Sequence, residues 1–135
     1  MTAGIALDQC NPRRPAFNAV MTDAINEDDV DDFVLRFYQL VLKDALLGPI
    51  FRASVNDLED HRLAVVDFWS AILLGSRRYH GDVFRHHEHL AFGKRHFDRW
   101  LAALNQASGE MLPEWAARKV LGRAAAMAER LHISA

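Results

Sequence analysis

Apolar residues recur along this chain every three or four positions, which is the spacing of one face of a helix. Order is predicted to begin near Asn26, which can cap a helix, with Asp28 and Asp29 in the first turn, where the helix dipole favours acids. The apolar face of this first helix consists of Val30, Phe33, Phe37, Leu40 and Val41. The pattern predicts that the helix runs to Gly48-Pro49, a pair that stops helices.

A second helix is predicted between a cap at Asn56 or Asp57 and a stop at Gly75. Ahead of it, Ile50-Phe51 is expected to return to the core from a turn. The apolar face of the helix begins at His61 and continues through Val65, Phe68, Trp69, Ile72 and Leu73. Because His61 opens an apolar stripe, it is predicted to face inward rather than toward solvent.

The remainder of the chain is predicted to add two helices after an irregular, histidine-rich segment. Residues 76–93 carry at most one short helix, around residues 83–89. The next helix has, at helical offsets, Phe97, Trp100, Leu101 and Leu104. The last begins at Pro113, a residue suited to a first helical turn. Its predicted inward positions are Trp115, Val120, Ala124, Met127 and Leu131. With no strand-like alternation and no internal repeat, the predicted fold is all-α.

The composition is that of one domain with a core of its own. The chain has 135 residues, of which 50% are hydrophobic and 25% charged, as in ordinary globular proteins. Its formal net charge of −2 gives no reason to expect nucleic acid or an anionic membrane as a partner. The single cysteine, Cys10, excludes an internal disulfide.

The N-terminal segment differs from the rest of the chain. Residues 1–21 have no clean hydrophobic period and contain Asn11-Pro12 and Pro15, so we expect a loosely ordered extension ahead of a domain at residues 22–135. The N-terminus is neither basic nor followed by a long apolar run, so no signal peptide is predicted. The longest apolar stretch, residues 71–74, is too short to cross a bilayer. We therefore expect a cytoplasmic protein without a membrane partner.

Four polar-tipped side chains at well-separated positions bear on function: Tyr38, His61, His87 and Trp100. Each lies in, or beside, a segment that is predicted to pack inward. A buried polar tip needs a partner, because an unpaired one costs about 1–3 kcal/mol. A cofactor with one coordinating face and one ligand-binding face accounts for all four side chains, and this pattern points to haem.

The run Arg85-His86-His87-Glu88-His89 is the densest cluster of metal-ligand side chains in the sequence. Imidazole binds iron, zinc, copper and nickel alike, so the cluster alone does not choose the metal. A structural zinc ion would need four nitrogen or sulfur ligands, and the segment offers no cysteine and no clear fourth ligand. His86 and His89 are interpreted as solvated loop residues.

The uncommon residues form an ordered series along the chain. The series consists of Phe37-Tyr38, Leu47-Gly48-Pro49-Ile50-Phe51, His61, Phe68-Trp69, Leu73-Leu74-Gly75, Tyr79-His80-Gly81, His87-Glu88-His89-Leu90 and His96-Phe97-Asp98-Arg99-Trp100-Leu101. In order and spacing it resembles the group III (group P) truncated haemoglobins, over residues 26–131. The chain departs from the family's pattern at Val83, where proline is often found, and in its longer N-terminal extension. Like that group, it lacks the paired-glycine motifs of other truncated haemoglobins.

The resemblance implies a truncated globin fold, a two-over-two helical sandwich around haem b. The family's proximal iron ligand matches His87. Its distal, ligand-stabilising tyrosine, histidine and tryptophan match Tyr38, His61 and Trp100. The aromatic side chain that packs against the haem edge after the Gly-Pro turn matches Phe51.

Further side chains are candidate contacts of the haem. The expected pocket walls are Val65, Phe68, Trp69, Phe92, Phe97 and Met127. Simple packing between helices explains each of these nearly as well. Tyr79 is a further candidate, as a donor to a haem propionate. The basic side chains that could pair with the propionates, which the sequence does not rank, are Arg77, Arg78, Arg85 and Lys94.

A haem held by one histidine leaves an axial position open for O2, NO, CO, cyanide or water. Tyr38, His61 and Trp100 all carry hydrogen-bond donors, and each bond to a charged or strongly polar ligand contributes about 1.5–3 kcal/mol. Three such donors exceed what easily reversible carriage needs, so we expect O2, NO or peroxide chemistry rather than bulk O2 storage, with oxygen binding and transport as the family's general role. Carrier and enzyme both stay open, the enzyme being NO dioxygenase-like or peroxidase-like, with an unidentified reductase as partner.

A second class of function is compatible with the same helices. Without haem, the chain would be a helical interaction or regulatory domain whose histidine-rich loop binds another metal. The colour of the purified protein separates the two, because a red-brown protein contains haem.

Overall fold

Helices account for most of the described chain. The structure is a computed structural model that describes residues 24–81 and 92–134, with side chains as far as Leu131. Its helices are α1 (Glu27–Lys43), α2 (Leu47–Ser54), α3 (Leu58–Leu74), α4 (Lys94–Met111) and α5 (Glu114–Ser134). No strand occurs among these residues, and the predicted all-α fold is confirmed. The extension at residues 1–21 and the short helix predicted around residues 83–89 lie outside the described residues.

The start of α1 is set by a reciprocal cap, as the sequence predicts. The Asn26 side chain accepts a hydrogen bond from the Asp29 backbone N–H at 3.0 Å, and the Asp29 carboxylate accepts one from the Asn26 N–H at 2.9 Å. This satisfies two of the backbone donors that a helix leaves without partners at its N-terminus. The apolar face that follows is buried, with Val30, Phe33 and Val34 fully covered.

The predicted end of α1 is wrong. The helix ends at Lys43, and Gly48-Pro49 lies inside α2 rather than stopping α1. Asp44 is the reason, because its carboxylate accepts the backbone N–H groups of Leu46 and Leu47 at 2.8 and 2.9 Å and so starts a new helix. The proline sits in the first turn of α2, where its missing N–H would have had no helical partner.

Both ends of α3 agree with the sequence. Of the two candidate caps, Asp57 is the one used, and its side chain accepts the Asp60 N–H at 3.0 Å. Gly75 ends the helix in the left-handed region, with φ of 75°. A residue without a Cβ adopts that conformation at little cost.

α1 and α3 form an antiparallel pair. Three contacts show the direction: Tyr38 meets His61, Phe33 meets Trp69 at a ring-centroid distance of 6.1 Å, and Glu27 accepts from Ser70 at 3.2 Å. Moving toward the N-terminus of α1 therefore means moving toward the C-terminus of α3. The core between the two helices is aromatic and aliphatic in its middle.

α4 and α5 form the second antiparallel pair, joined only by Leu112 and Pro113. Phe97, near the start of α4, packs with Ala128 and Leu131, near the end of α5. The two pairs are tied together where α1 meets α4, because Arg36 pairs with Glu110 at 2.7 Å and Asp44 pairs with Arg99 at 2.7 Å. Two antiparallel pairs packed across each other confirm the two-over-two arrangement.

The α5 prediction needs two corrections. The helix begins at Glu114, one residue after Pro113. Trp115, predicted to face inward, is 41% exposed, whereas Ala116 is fully buried. The buried stripe that contains Val120 and Ala124 extends back by a step of four to Ala116. A neighbouring position is rotated by about 100° and leaves the core.

None of the described helices combines the length and the apolarity that crossing a lipid bilayer would require.

Candidate functional site

A cavity of about 210 Å³ lies between the helix pairs. Side chains from every described helix line it, together with Val55, Tyr79 and Phe92 from the connecting segments. The helical lining residues are Phe37, Val41, Leu47, Ile50, Phe51, Ser54, His61, Ala64, Val65, Phe68, Trp69, Trp100, Leu104 and Met127. Most of this surface is aliphatic or aromatic, and the few polar tips come from separate helices, as in sites for flat apolar cofactors.

α3 presents two adjacent faces, one to α1 and one to the cavity. Val66, Ser70 and Leu73 are buried, and Ser70 contacts the first turn of α1 through Glu27. His61 and Val65 are only half-buried and line the cavity. The predicted apolar stripe is therefore the cavity wall for much of its length, which explains why it includes a histidine.

Tyr38, His61 and Phe51 form one aromatic cluster at the start of α3. The Tyr38 hydroxyl and His61 Nδ1 share a hydrogen bond. The Phe51 ring stands edge-on to both of the others, with centroids 5.1 Å from Tyr38 and 5.3 Å from His61. The Asp57 cap fixes where α3 begins and therefore where His61 lies. The resemblance implies haem-pocket roles for all three residues, and the structure brings them into contact.

Within this cluster, His61 faces the cavity and Tyr38 lies behind it. Tyr38 is 5% exposed and is not among the lining residues, although its hydroxyl contacts a side chain that is. Burial raises the pKa of Tyr38 above its ordinary value, with Glu59 adding to the rise and Arg62 opposing it. A phenol with a raised pKa keeps its proton, so the Tyr38 hydroxyl remains able to donate a hydrogen bond.

Trp100 reaches the cavity from α4 and is half-buried. Its neighbour Arg99 pairs with Asp44, whose carboxylate also accepts the first N–H groups of α2. One carboxylate thus links α4 to the junction of α1 and α2. The Asp44 pKa is lowered because these backbone N–H groups and the Arg99 guanidinium outweigh its partial burial.

The other predicted pocket walls divide into two groups. The predicted side chains that line the cavity are Phe51, Val65, Phe68, Trp69, Tyr79, Phe92 and Met127. Phe97 is buried instead in a separate small cluster with Ala128 and Leu131, and it does not line the cavity. Phe97 shares a helical face with Trp100 and Leu104 but lies one to two turns nearer the start of α4, where Ala128 and Leu131 of α5 cover it. The proposed proximal ligand, His87, lies outside the described residues, as does Arg85.

Several lining residues were not singled out from the sequence as site residues: Phe37, Val41, Leu47, Ile50, Ser54, Val55, Ala64 and Leu104. Most are apolar residues at helical spacing, which is equally the pattern of a filled core. No signal in the sequence separates the two cases.

No group of three or more histidine, cysteine, aspartate or glutamate side chains that could hold a metal ion occurs in residues 24–81 and 92–131. Among these residues, the cavity lining offers a held cofactor an apolar wall, the imidazole of His61 and the indoles of Trp69 and Trp100. These residues fit haem, whose ring needs apolar contact and whose bound ligand needs hydrogen-bond donors.

A two-over-two helical sandwich around an apolar cavity, with a histidine backed by a phenol and with indoles in its lining, is typical of a small globin-like protein. The sequence matches the bacterial-like globin family over residues 21–132. The chain belongs to that family. Haem binding is the function that this membership supports.

Comparisons with one curated protein and one solved structure indicate which globins this chain resembles. The curated protein described as "Group 3 truncated hemoglobin ctb", from Campylobacter jejuni, is 28% identical over 107 residues, which cover 76% of this chain and 84% of that protein. The crystal structure of group III truncated hemoglobin from Campylobacter jejuni matches with a TM-score of 0.74 and 28% identity, covering 81% of this chain and 90% of that one. The resemblance to group III truncated haemoglobins is confirmed.

Proposed function

We propose that this protein binds haem b in the cavity, with His87 as the iron ligand and with Tyr38, His61 and Trp100 on the ligand-binding side. The observation that carries the proposal is the apolar cavity that His61 and Trp100 both line, with Tyr38 hydrogen-bonded to His61 from behind. The assignment of His87 rests on the resemblance to the family. Haem, when bound, supplies an iron atom with an axial position open to small ligands.

The hydrogen bond between Tyr38 and His61 reduces the number of hydrogen-bond donors that a ligand on this side can use. One proton lies between the two side chains, so a neutral pair offers a single further proton to a ligand. Because Tyr38 lies behind His61, the form that serves a ligand in the cavity is the one in which Tyr38 donates to Nδ1 and the Nε2 N–H of His61 is free to donate. The pair and the Trp100 indole therefore supply two donors rather than three independent ones.

Two fixed donors in an apolar cavity suit ligands that carry negative charge. Each charge-assisted hydrogen bond contributes about 1.5–3 kcal/mol and slows ligand release accordingly. We infer a protein that binds O2, NO, CO or an anion such as cyanide, with O2, NO or peroxide chemistry favoured over bulk O2 storage. Catalytic turnover would need an external reductase, in the manner of an NO dioxygenase or a peroxidase.

The visible absorption spectrum of the purified protein is the first test, recorded oxidised, reduced, and reduced under CO. We expect an intense Soret band that moves with reduction and again with CO. A chain that stays featureless after addition of hemin would overturn the haem-binding proposal.

A pair of adjacent histidine variants tests the iron ligand. His87→Ala should lose haem during gel filtration, whereas the matched His86→Ala variant should retain it with an unchanged spectrum. Loss of haem from His86→Ala alone would move the assignment by one residue. Rapid mixing of the loaded protein with O2, NO and peroxide then separates a carrier, which only binds, from a catalyst, which consumes its ligand.

A further inference from the structure

The segment that follows α3 folds back along the helix instead of leaving it. At Gly75 the chain enters the left-handed region, and the next N–H, of Ser76, returns to the Ser70 carbonyl at 3.3 Å. Arg78 then contacts Asp67, and Tyr79 contacts Phe68. Residues 75–81 therefore run antiparallel to the last two turns of α3.

Arg78 fastens this segment to two helices. Its Nε donates to Asp67 at 2.9 Å, and its two terminal nitrogens donate to the two carboxylate oxygens of Glu27 at 2.7 and 2.9 Å. Ser70 donates to the same Glu27 carboxylate at 3.2 Å. We call Arg78, Glu27, Asp67 and Ser70 the Arg78 clamp. A forked pair on one acid with a second acid on the remaining nitrogen uses the planar geometry of guanidinium, which lysine lacks.

Tyr79, the next residue, belongs to the cavity wall. Its ring stands edge-on to Phe68, with centroids 5.3 Å apart, and it is half-buried. The backbone at Gly81 passes close to the ring, since a Cβ on that glycine would lie 2.7 Å from the Tyr79 hydroxyl oxygen. Fixing residue 78 to α1 and α3 therefore also fixes the adjacent wall of the cavity.

We propose that Arg78 is a positioning residue for the haem pocket: the Arg78 clamp holds Tyr79 against Phe68 and so slows loss of haem, without Arg78 touching the cofactor. This inference rests on the haem-binding function proposed above. The contacts also distinguish among the basic side chains that the sequence does not rank as propionate partners. All three Arg78 nitrogens already donate to carboxylates of the protein, and Lys94 pairs with Asp98 at 2.8 Å. Arg123, exposed on α5 and absent from the cavity lining, provides a matched control.

The test is the rate at which the haem-loaded, full-length chain gives up haem to an excess of a high-affinity haem-binding protein. Arg78→Ala should raise this rate about three- to tenfold, the size expected when a networked, partly exposed ion pair is lost. Arg123→Ala removes the same charge from an exposed site on α5 and should leave the rate unchanged. High salt should raise the wild-type rate toward that of Arg78→Ala, because it screens exposed charges.

Two further variants separate positioning from direct contact with a propionate. Replacing both acids, as Glu27→Gln with Asp67→Asn, should speed haem loss if Arg78 acts through the clamp. If Arg78 instead held a propionate, freeing it from those acids would leave haem loss unchanged or slow it, which would overturn the inference. In a Tyr79→Ala background, Arg78→Ala should add nothing further. A full additional effect there would show a general structural role and would also overturn it.

The outcomes distinguish the two proposals. A wild-type chain without a Soret band overturns haem binding itself. A wild-type chain that holds haem no better than Arg78→Ala overturns only the clamp. Should Arg78→Ala fail to fold, Arg78→Lys and Glu27→Gln weaken the same contacts while keeping the side-chain volume, and each must then speed haem loss.

Discussion

Between α1 and α3, the contacts that border the cavity at the His61 end are neutral, whereas the contacts that close the Gly75 end are ion pairs. At the first end, Tyr38, Phe51 and His61 touch one another, and the cavity lies beside them. At the other, Glu27 and Asp67 surround the Arg78 guanidinium at the surface. Neutral donors beside an apolar cavity can serve a bound ligand, while exposed ion pairs are screened and serve to hold the chain in place.

The two ends should therefore respond to different measurements. Substitutions at the His61 end should alter ligand release, and substitutions at the Gly75 end should alter retention of the cofactor. The middle of the contact between α1 and α3, where Phe33 meets Trp69, supports both ends.

The largest effect is expected in the middle. Phe33 is fully buried, and Phe33→Ala should lower the free energy of unfolding by about 3–5 kcal/mol, because it removes a ring and leaves a cavity. Leu35→Ala, on the same helix but 45% exposed, should change it by less than about 0.5 kcal/mol. Denaturant unfolding of the haem-loaded proteins measures both. Equal effects would mean that the packing between α1 and α3 contributes little.

The next largest effect concerns ligand release at the neutral end. Tyr38→Phe should raise the O2 dissociation rate about 10- to 100-fold, the equivalent of one charge-assisted hydrogen bond. Because Tyr38 and His61 share a proton, the effects of Tyr38→Phe and His61→Leu should not add in the double variant. Arg123→Ala serves as the control for mutation at an exposed site. Additive effects would show that the two side chains act independently.

Alkaline pH provides a third test of the neutral end. Burial raises the pKa of Tyr38, so above about pH 10 the folded chain keeps a proton that the unfolded chain releases. The folded state then binds more protons, and stability falls as pH rises, by up to about 1.4 kcal/mol per pH unit. Tyr38→Phe lacks this loss, so the stability gap between the two proteins should narrow above about pH 10. If the stabilities of the two proteins changed in parallel with pH, that result would contradict the raised pKa of Tyr38. Tyr79 is present in both proteins and so does not contribute to the difference.

Local signals explain what could be predicted from the sequence. Asn26, Asp57 and Gly75 act on backbone groups within a few residues, and each stands where the pattern placed it. The prediction that Gly48-Pro49 stops α1 is wrong for an equally local reason. The Asp44 carboxylate accepts two backbone N–H groups and starts a new helix before the glycine is reached. The glycine is needed there for another reason, since a Cβ would lie 2.7 Å from the Leu42 carbonyl oxygen.

The limits of the cavity could not be predicted, because they depend on how helices meet. Phe68 and Phe97 have the same chemistry and similar neighbours in sequence, yet one lines the cavity and the other packs against α5. Tyr38 was predicted at the site from the resemblance, but its position behind His61 follows from the approach of α1 to α3. The pairing of Tyr38 with His61, with the Trp100 indole separate, likewise depends on how the helices pack.

The smallest effect tests the turn that leads into the charged end. An added Cβ at Gly75 would meet no atom within 4 Å, so the cost of Gly75→Ala comes from its φ of 75° alone, about 1 kcal/mol of unfolding free energy. Gly122 also has open space around it but lies inside α5, where Gly122→Ala should stabilise by about 0.5–1 kcal/mol. Gly75→Asn should cost less than Gly75→Ala, because asparagine tolerates the left-handed region. Denaturant midpoints of the three variants decide the matter: changes of the same sign for the two alanines would mean that the turn at Gly75 does not require glycine. If the turn does direct the chain toward Arg78, Gly75→Ala should also speed haem loss while leaving the O2 dissociation rate unaltered.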